Sequence, residues 1–211
     1  YYRWMYLGEV VGLGTNVYNM DNFTSIDNLP ADDYITNLYY SVDSGHEVSA
    51  TTCGAYGLTR KGNLILLDTY YYSPQGKTHK KPPSELSRDL KEFIDKVTNW
   101  IGKQPTRLTM DSAEGALDNQ FYNDFGIRWH KVRKLKKVDM IDRVQDLLAQ
   151  GRFFYLKRPE NEIFIKEHEK YQWDEKTLQS DDPKVIKEDD HTCDMFQYVV
   201  RDNERDLGLK W

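Results

Sequence analysis

Residues 34–72 read YITNLYYSVDSGHEVSATTCGAYGLTRKGNLILLDTYYY and carry the strongest signal for regular structure in the chain. Three runs within them are rich in β-branched and aromatic residues, which favour β-strands. The runs are Tyr34 to Val42, Val48 to Leu58 and Leu64 to Tyr72. Turn-forming residues separate them at Asp43 to Gly45 and at Arg60 to Asn63. The stretch therefore predicts an antiparallel meander of three strands.

After the meander, apolar residues at helical spacing alternate with short β-rich runs. The predicted helices begin at Ser84 as N-cap, lie between Asp111 and Gly126, begin at Asp139 as N-cap, span Asn161 to Trp173, and span Asp189 to about Asp202. The predicted strands among them are Arg107 to Met110, Ile127 to Val132 and Arg152 to Leu156. This order predicts an α/β fold with a mixed sheet flanked by helices, as expected of a ribonuclease H-like domain.

The composition limits the class of protein. The 211 residues fit a single domain over 1–211, with residues 1–33 as an N-terminal lead-in segment packed on it. Apolar residues make up 39% of the chain, whereas the mean hydropathy of −0.77 and the lack of a long apolar run exclude a membrane protein. Cys53 and Cys193 are too few for a disulfide scaffold and indicate a reducing compartment. The first residue is Tyr rather than Met, which favours a fragment of a longer protein.

Charge is distributed unevenly along the chain. The net charge is −5, from 29 basic and 34 acidic residues, which by itself argues against a polyanionic partner. Arg128 to Lys137 nevertheless reads RWHKVRKLKK, and acidic residues concentrate near the C-terminus. A charge run alone is more often a solvated surface than a binding site, so the basic run has a functional meaning only beside a site.

Several catalytic and cofactor motifs fail. Gly76-Lys77-Thr78 ends like a phosphate-binding loop, but Tyr71 stands where that loop needs its first glycine. Gly12-x-Gly14 lacks the third glycine of a dinucleotide-binding loop, because Val17 stands in its place. The sequence contains neither Cys-x-x-Cys nor Gly-x-Ser-x-Gly, so covalent nucleophilic catalysis is poorly supported.

Three aspartates lie at the ends of elements that should converge on one sheet edge. Asp43 closes the first strand, Asp111 closes the strand after the long helix, and Asp194 lies in the terminal helix with Asp190 and His191 on the same face. Taken alone, Asp43 suits a turn, Asp111 suits an N-cap, and the helical aspartates suit a solvated face. The order of the three aspartates along the chain, with the basic run between Asp111 and Asp194, favours a functional site.

Carboxylates that lie close together repel one another unless a cation lies between them. Oxygen ligands suit Mg²⁺ or Mn²⁺, and a neighbouring histidine shifts the preference toward Mn²⁺. Two such ions about 4 Å apart support an in-line phosphodiester displacement without a protein nucleophile. The aspartates therefore predict a two-ion hydrolytic site.

Four segments resemble one family. KEDDHTCDMFQYVV (187–200) resembles the C-terminal motif of phage large terminase subunits, D-H-x-x-D followed by apolar and aromatic residues. YYRWMYLGEVVGLGTNVYN (1–19) resembles the segment after their ATPase domain. YYSVDSG (39–45) and GLTRKGNLILLDTYYYSPQGKTHKK (57–81) resemble their first nuclease strands. The likeness covers nearly the whole chain and is strongest to terminases of tailed phages that infect Gram-positive bacteria.

The resemblance implies a metal-dependent nuclease domain that cuts concatemeric viral double-stranded DNA during genome packaging. It assigns Asp43, Asp111 and Asp194 as catalytic residues and metal ligands and His191 as a further metal ligand, with Asp190 as a less certain, substitute or outer ligand. It also implies an upstream ATPase motor that these residues do not include, so no ATPase activity is expected here. The portal protein and the small terminase subunit become the expected partners, in the host cytoplasm.

A protein of negative net charge needs a local cationic face to bind a DNA duplex. The candidate DNA-binding residues are Arg128, Lys131, Arg133, Lys134, Lys136, Lys137, Lys80 and Lys81, with help from Lys77. No segment resembles a base-reading element, so we expect phosphate contacts and little sequence specificity. Two alternatives stay open: a catalytically silent module that docks on DNA or portal, and a resolvase or transposase nuclease of the same fold.

Overall fold

The computed structural model of the chain describes residues 14–45 and 48–210. The first thirteen residues of the predicted lead-in segment, and most of the first resembling segment, lie outside the described residues. Every helix within the described ranges is too short or too polar to span a bilayer.

The described residues form seven β-strands and five α-helices. The strands are β1 (Thr24–Ile26), β2 (Ile35–Asp43), β3 (Thr51–Thr59), β4 (Leu64–Tyr72), β5 (Arg107–Met110), β6 (His130–Lys131) and β7 (Phe153–Leu156). The helices are α1 (Pro83–Ile101), α2 (Ala116–Phe125), α3 (Lys137–Ala149), α4 (Glu162–Lys170) and α5 (His191–Asp202).

The strands form one mixed sheet in the order β1-β7-β4-β3-β2-β5-β6. Strand β3 pairs antiparallel with β2 and with β4, which confirms the predicted meander. The other pairs are parallel, so every described strand except β3 runs in the same direction. The carboxyl ends of β4, β2, β5 and β6 therefore meet along one edge of the sheet, which we call the carboxyl edge.

Helices cover both faces of the sheet, as predicted. Alternate residues of β2 enter different cores: Tyr39 packs with α3, α4 and α5, whereas Leu38 and Tyr40 pack with α1 and α2. The first core is rich in rings, and Phe196 of α5 lies 4.6 Å from Phe153 between ring centroids. This layer holds α5 firmly against the sheet.

Three predicted element boundaries are wrong. Helix α1 has Pro82 rather than Ser84 as its N-cap, because the fixed backbone angle of Pro83 suits the first helical position. Helix α3 begins two residues before Asp139, which instead lies in the first turn, where its charge favours the free amides. The predicted strand at 127–132 shrinks to β6, because the amide of Trp129 donates to the side chain of Asp118 rather than to a neighbouring strand.

Two predicted helices are shorter than expected. Helix α4 ends at Lys170, because the next residues extend and pair with the N-terminal segment, where the amide of Val17 donates to Tyr171 O at 3.0 Å. Helix α5 begins at His191, because Asp189 adopts a left-handed backbone with φ of 47°. Strand β1 was not predicted; within the lead-in segment, it extends the sheet by pairing with β7.

Candidate metal centre

Two of the predicted site residues lie side by side on the carboxyl edge. Asp43 is the last residue of β2, and Asp111 directly follows β5. These strands are parallel neighbours. Val42 and Met110, the residues that precede the two aspartates, pair with each other. Adjacent strands lie about 4.8 Å apart, so the pairing brings the two aspartates together.

Helix α5 packs over the face to which both aspartates point. Ser41, two residues before Asp43, donates its hydroxyl to the carbonyl oxygen of Met195 in α5 at 2.8 Å. Thr109, two residues before Asp111, donates to Oδ2 of Asp202 in the same helix at 2.5 Å. Because side chains alternate along a strand, Asp43 and Asp111 face α5 as well.

The first turns of α5 reach both aspartates. His191 Nδ1 lies 3.1 Å from Asp43 Oδ2, and the Tyr198 hydroxyl donates to Asp111 Oδ2 at 3.3 Å. Asp194 lies between these two contacts, one turn from each on the same helical face. The helix thus adds the third carboxylate to the pair on the sheet.

Burial and the negative charges of neighbouring carboxylates shift the pKa values of side chains at this site. The pKa of Asp43 is raised to about 6, chiefly by burial and also by the charges of Asp194 and Asp190, against the bond from His191, which lowers it. Burial and the charges of Asp194, Asp43 and Asp111 together raise the pKa of Tyr198. The Tyr198 hydroxyl, which bonds Asp111, is therefore also within electrostatic range of Asp43 and Asp194.

Lysines neutralise much of this negative charge. Lys137 Nζ lies 2.6 Å from Asp194 Oδ1, and Lys187 Nζ lies 3.2 Å from Asp194 Oδ2 and 3.0 Å from Asp190. Lys134 pairs with Asp111 at 2.6 Å. Burial raises the pKa of Asp111, but bonds from the Ala113 amide and from Lys134 outweigh it and leave the pKa lowered.

The donor set fits a divalent cation. Across 14–45 and 48–210, no three His, Cys, Asp or Glu side chains are already arranged around a common metal position. The carboxylates of Asp43, Asp111 and Asp194 nevertheless come from three elements and are largely shielded from solvent; lysine ammonium groups neighbour Asp111 and Asp194, and His191 neighbours Asp43. Clustered carboxylate oxygens are hard ligands, and such ligands suit Mg²⁺ or Mn²⁺.

Three residues around this centre were not predicted from the sequence. Lys187 and Tyr198 lie within the segment that carries the terminase-like motif, and Tyr198 follows Asp194 by one helical turn, which is the signal that could have found it. Glu167 of α4 contacts Thr192 beside His191 and has no signal of this kind. Asp190 is the N-cap residue of α5 and pairs with Lys187.

The predicted DNA-binding residues separate into three groups. Lys134 and Lys137 pair with the site carboxylates, as given above. Arg128 and Lys131 both approach Asp118, at 3.3 and 3.6 Å, and Lys81 pairs with Asp89. The remaining predicted cations are exposed and form no ion pair with a described residue; they are Arg133, Lys136 and Lys80.

These unpaired cations lie on both sides of the carboxylates. Lys80 belongs to the loop that follows β4, and Arg133 and Lys136 belong to the segment that follows β6. Both segments leave the carboxyl edge of the sheet, with β2 and β5 between them. The edge therefore carries cations, then acidic residues, then cations.

The sequence matches the family model described as the terminase RNase H-like domain over residues 43–202. It matches no protein of curated function. A large terminase from a thermophilic bacteriophage, solved in complex with ATP-γ-S, aligns with a TM-score of 0.72 and 23% identity over 87% of this chain and 43% of its own. This chain thus spans less than half the length of that relative.

Two solved nuclease domains are also similar. That of bacteriophage SPP1 large terminase, with bound Mn, aligns with a TM-score of 0.61 and 16% identity over 89% of this chain and 98% of its own. That of thermophilic phage G20c, with bound magnesium, aligns with a TM-score of 0.59 and 10% identity over 89% of this chain and 97% of its own. The ribonuclease H-like fold expected from the order of elements is thereby confirmed, and the chain belongs to the terminase family of RNase H-like domains.

Proposed function

We propose that this chain is the nuclease of a bacteriophage DNA-packaging terminase, a divalent-metal-dependent endonuclease that cuts concatemeric viral double-stranded DNA. The observation that carries the proposal is the convergence of Asp43, Asp111 and Asp194 from three separate elements: the two sheet aspartates end paired strands, and α5 contacts both of them through His191 and Tyr198, with Asp194 between those contacts. A purely structural role does not require three carboxylates at one edge of the sheet. The bound Mn and magnesium of the SPP1 and G20c nucleases support divalent metal chemistry at such an edge.

In this proposal Asp43, Asp111 and Asp194 hold two Mg²⁺ or Mn²⁺ ions. When bound, such ions supply an activated water and charge stabilisation for phosphodiester hydrolysis. The side chains of this chain fix the ligands: His191 orients Asp43, and Tyr198 orients Asp111. No side chain is required as a nucleophile, in agreement with the absence of a nucleophilic motif from the sequence.

The flanking cations supply the proposed DNA contacts. From β4 to β6 the edge covers four strand spacings, roughly 19 Å. A duplex presents about eleven phosphate charges over that length, at about one per 1.7 Å. Lys80 on one side and Arg133 and Lys136 on the other can bind phosphates while the carboxylates face the scissile bond. Contacts of this kind fix position and carry little sequence information.

The packaging context completes the proposal. Portal protein and small terminase subunit are the proposed partners, and the host cytoplasm is the proposed place of action. ATP hydrolysis is assigned to other parts of a terminase, because the sequence of these 211 residues has no phosphate-binding loop. The family match over 43–202 disfavours a resolvase or transposase.

A catalytically silent docking module is the second candidate. The pairing of Asp194 with both Lys137 and Lys187 favours it, because those ammonium groups already neutralise the carboxylate. The two functions differ in one observable property. A docking module binds DNA without metal-dependent cleavage, whereas the nuclease requires the metal for its reaction.

Cleavage of supercoiled plasmid by the purified chain tests the proposal. We expect nicking and linearisation with Mn²⁺ or Mg²⁺, none with EDTA, and none by the Asp43→Asn variant, which keeps the size of the side chain. Asp95→Asn, in an exposed ion pair on α1, is the matched control and should cut normally. Metal-dependent cutting by Asp43→Asn at the wild-type rate would contradict the assignment, and DNA binding without any cutting would favour the docking module.

A further inference from the structure

Glu167 is a buried carboxylate that the proposed reaction does not use. It lies in α4, only 2% of its surface is exposed, and it interacts with Tyr71 of β4 as well as with one residue of another helix. Its Oε2 accepts a bond from the backbone amide of Thr192 at 2.6 Å and another from the Thr192 hydroxyl at 2.5 Å. Thr192 is the second residue of α5 and is fully buried.

This contact acts as a helix cap. The first amides of a helix have no partner within the helix, and a capping side chain normally accepts from them. Asp190, at the N-cap position of α5, makes no such bond with its side chain. Glu167 supplies the missing acceptor from a different helix, and its negative charge suits the positive end of the α5 dipole.

Helix α4 is itself fastened to the sheet. Asn161, the N-cap residue of α4, is 1% exposed and donates its side-chain amide to Leu156 O at the end of β7 at 2.8 Å. Its side-chain oxygen accepts from the Thr69 hydroxyl of β4 at 2.9 Å. Buried polar contacts thus join the start of α4 to the sheet, and another pair joins α4 to the first turn of α5.

The first turn of α5 carries the two residues that this helix contributes to the proposed metal centre. His191 directly precedes Thr192, and Asp194 follows it by two residues. His191 contacts Asp43 on the sheet, so a small shift or rotation of the turn changes the separation of Asp194 from the sheet aspartates. Burying a carboxylate is costly unless it is bonded well, and a plain apolar contact would suffice for packing alone.

We propose that Glu167 is a positioning residue that, through Thr192, fixes the first turn of α5 so that Asp194 and His191 meet the sheet aspartates in metal-binding register. The inference rests on the proposed nuclease function. Glu167 touches neither DNA nor metal in this scheme; it acts through the backbone and hydroxyl of Thr192, and its charge also lies near His191.

Titration calorimetry with Mn²⁺ alone tests this proposal on the whole chain. Glu167→Ala should lower the Mn²⁺ affinity about tenfold or more, within the range for residues that support metal ligands. Glu167→Gln keeps an acceptor oxygen and should recover much of the loss. Thr192→Ser keeps both donors and should bind Mn²⁺ like the wild type.

Asn203→Ala is the control for stability. Asn203 is buried at the other end of α5, where its side chain donates to Val199 O at 2.9 Å, so its loss weakens the same helix away from the centre. We expect this variant to lose thermal stability and keep its Mn²⁺ affinity. Equal Mn²⁺ affinities for Glu167→Ala and Asn203→Ala would overturn the inference. If Glu167→Ala fails to fold, wild-type Mn²⁺ affinity in Thr192→Val, which lacks the hydroxyl that donates to Glu167, would overturn it instead.

The wild-type protein separates the positioning role from the proposed function. If it binds Mn²⁺ and cuts DNA while the Glu167 variants bind the metal equally well, only the positioning role fails. If the wild type neither binds Mn²⁺ nor cuts DNA, the proposed function fails with it.

Discussion

The two ends of helix α5 hold buried aspartates in different ways. At the last turn, Asp202 accepts the Thr109 hydroxyl at 2.5 Å, lies 2.8 Å from His130 Nδ1 and has Arg107 at 3.7 Å. These partners are held by β5 and β6, so their positions are set by the sheet. In the first turn, the partners of Asp194 are the ammonium groups of Lys137 and Lys187.

The difference fits a structural role for Asp202 and the proposed metal-binding role for Asp194. Lysine carries its charge on a flexible stem with freely rotating donors, and 61% of the Lys187 side chain is exposed. Such a partner can leave a carboxylate when a stronger cation arrives. The Thr109 hydroxyl beside Asp202 has no such freedom, because its short side chain is buried in β5. The same residue type thus fastens the helix at one end and remains available to a ligand at the other.

The sharpest test of this difference exchanges each aspartate for asparagine. Asp194→Asn should slow plasmid cleavage by more than about 100-fold, beyond the range for residues that only support ligands, and should leave unfolding nearly unchanged. Asp202→Asn should cut within a few-fold of the wild type but lose about 1–3 kcal/mol of unfolding free energy, because it upsets a buried hydrogen-bond network. Cleavage rates and urea denaturation measure the two effects.

Loss of the same property in both variants would show that the two ends of α5 do not differ in role. The wild-type chain in EDTA is the reference for complete loss of cleavage.

The sequence predicted the parts of this arrangement that depend on local pattern. The strand ends at Asp43 and Asp111 follow from runs of β-forming residues, and Gly126 marks the end of α2 as its left-handed C-cap. Strand β1 was missed, because three residues carry no periodicity and pair with β7, far along the chain. An edge strand of this kind is defined by its partner rather than by its own sequence.

The contacts that complete the site could not be predicted in this way. Glu167 and Thr192 are 25 residues apart, and Thr109 and Asp202 are 93 residues apart, so no local spacing signals either pair. The basic run predicted cations but not their partners: Lys134 and Lys137 meet site carboxylates instead of facing freely outward. Which carboxylate a lysine meets depends on packing that only the fold supplies.

The middle of α5 provides a third region for comparison, held by rings rather than charges. His168 lies 5.7 Å from Phe196 between ring centroids, its Nδ1 lies 2.7 Å from Phe164 O, and burial lowers its pKa to about 3. The unfolded chain takes up a proton near pH 6.5, but the folded chain does not. Stability should therefore fall with pH below about 6.5, by about 1.4 kcal/mol per pH unit from this group alone.

Urea denaturation of the wild type and of His168→Gln at pH 7 and pH 5 checks this expectation. The wild type should lose about 2 kcal/mol more than the variant between these pH values, since the neutral amide does not titrate. Equal losses would mean that the His168 ring is protonated in the folded protein.

The basic run from Arg128 to Lys137 also contains both ion-paired and unpaired cations. Arg133 and Lys136 form no ion pair with a described residue, whereas Arg128 and Lys131 share Asp118. Replacing Arg133 and Lys136 by Ala should reduce the slope of log affinity for duplex DNA against log salt by about 1.8, near 0.9 for each lost phosphate contact. The double variant Arg128→Ala and Lys131→Ala is the control and should change the slope less. Equal slopes for the two double variants would remove the distinction.

The smallest expected effect concerns the lysine that is easiest to displace. Lys187→Met keeps most of the stem and removes the ammonium beside Asp194 and Asp190, so a divalent ion no longer competes with it. A pair whose lysine is exposed is worth about 0.2–1 kcal/mol, so calorimetry should show a Mn²⁺ affinity increased by about 1.4- to fivefold. Arg107→Met removes a cation from Asp202 at the other end of α5 and should leave the affinity unchanged. A weaker Mn²⁺ affinity in Lys187→Met would instead mean that Lys187 holds Asp194 in position, and the two ends of the helix would then be built on the same principle.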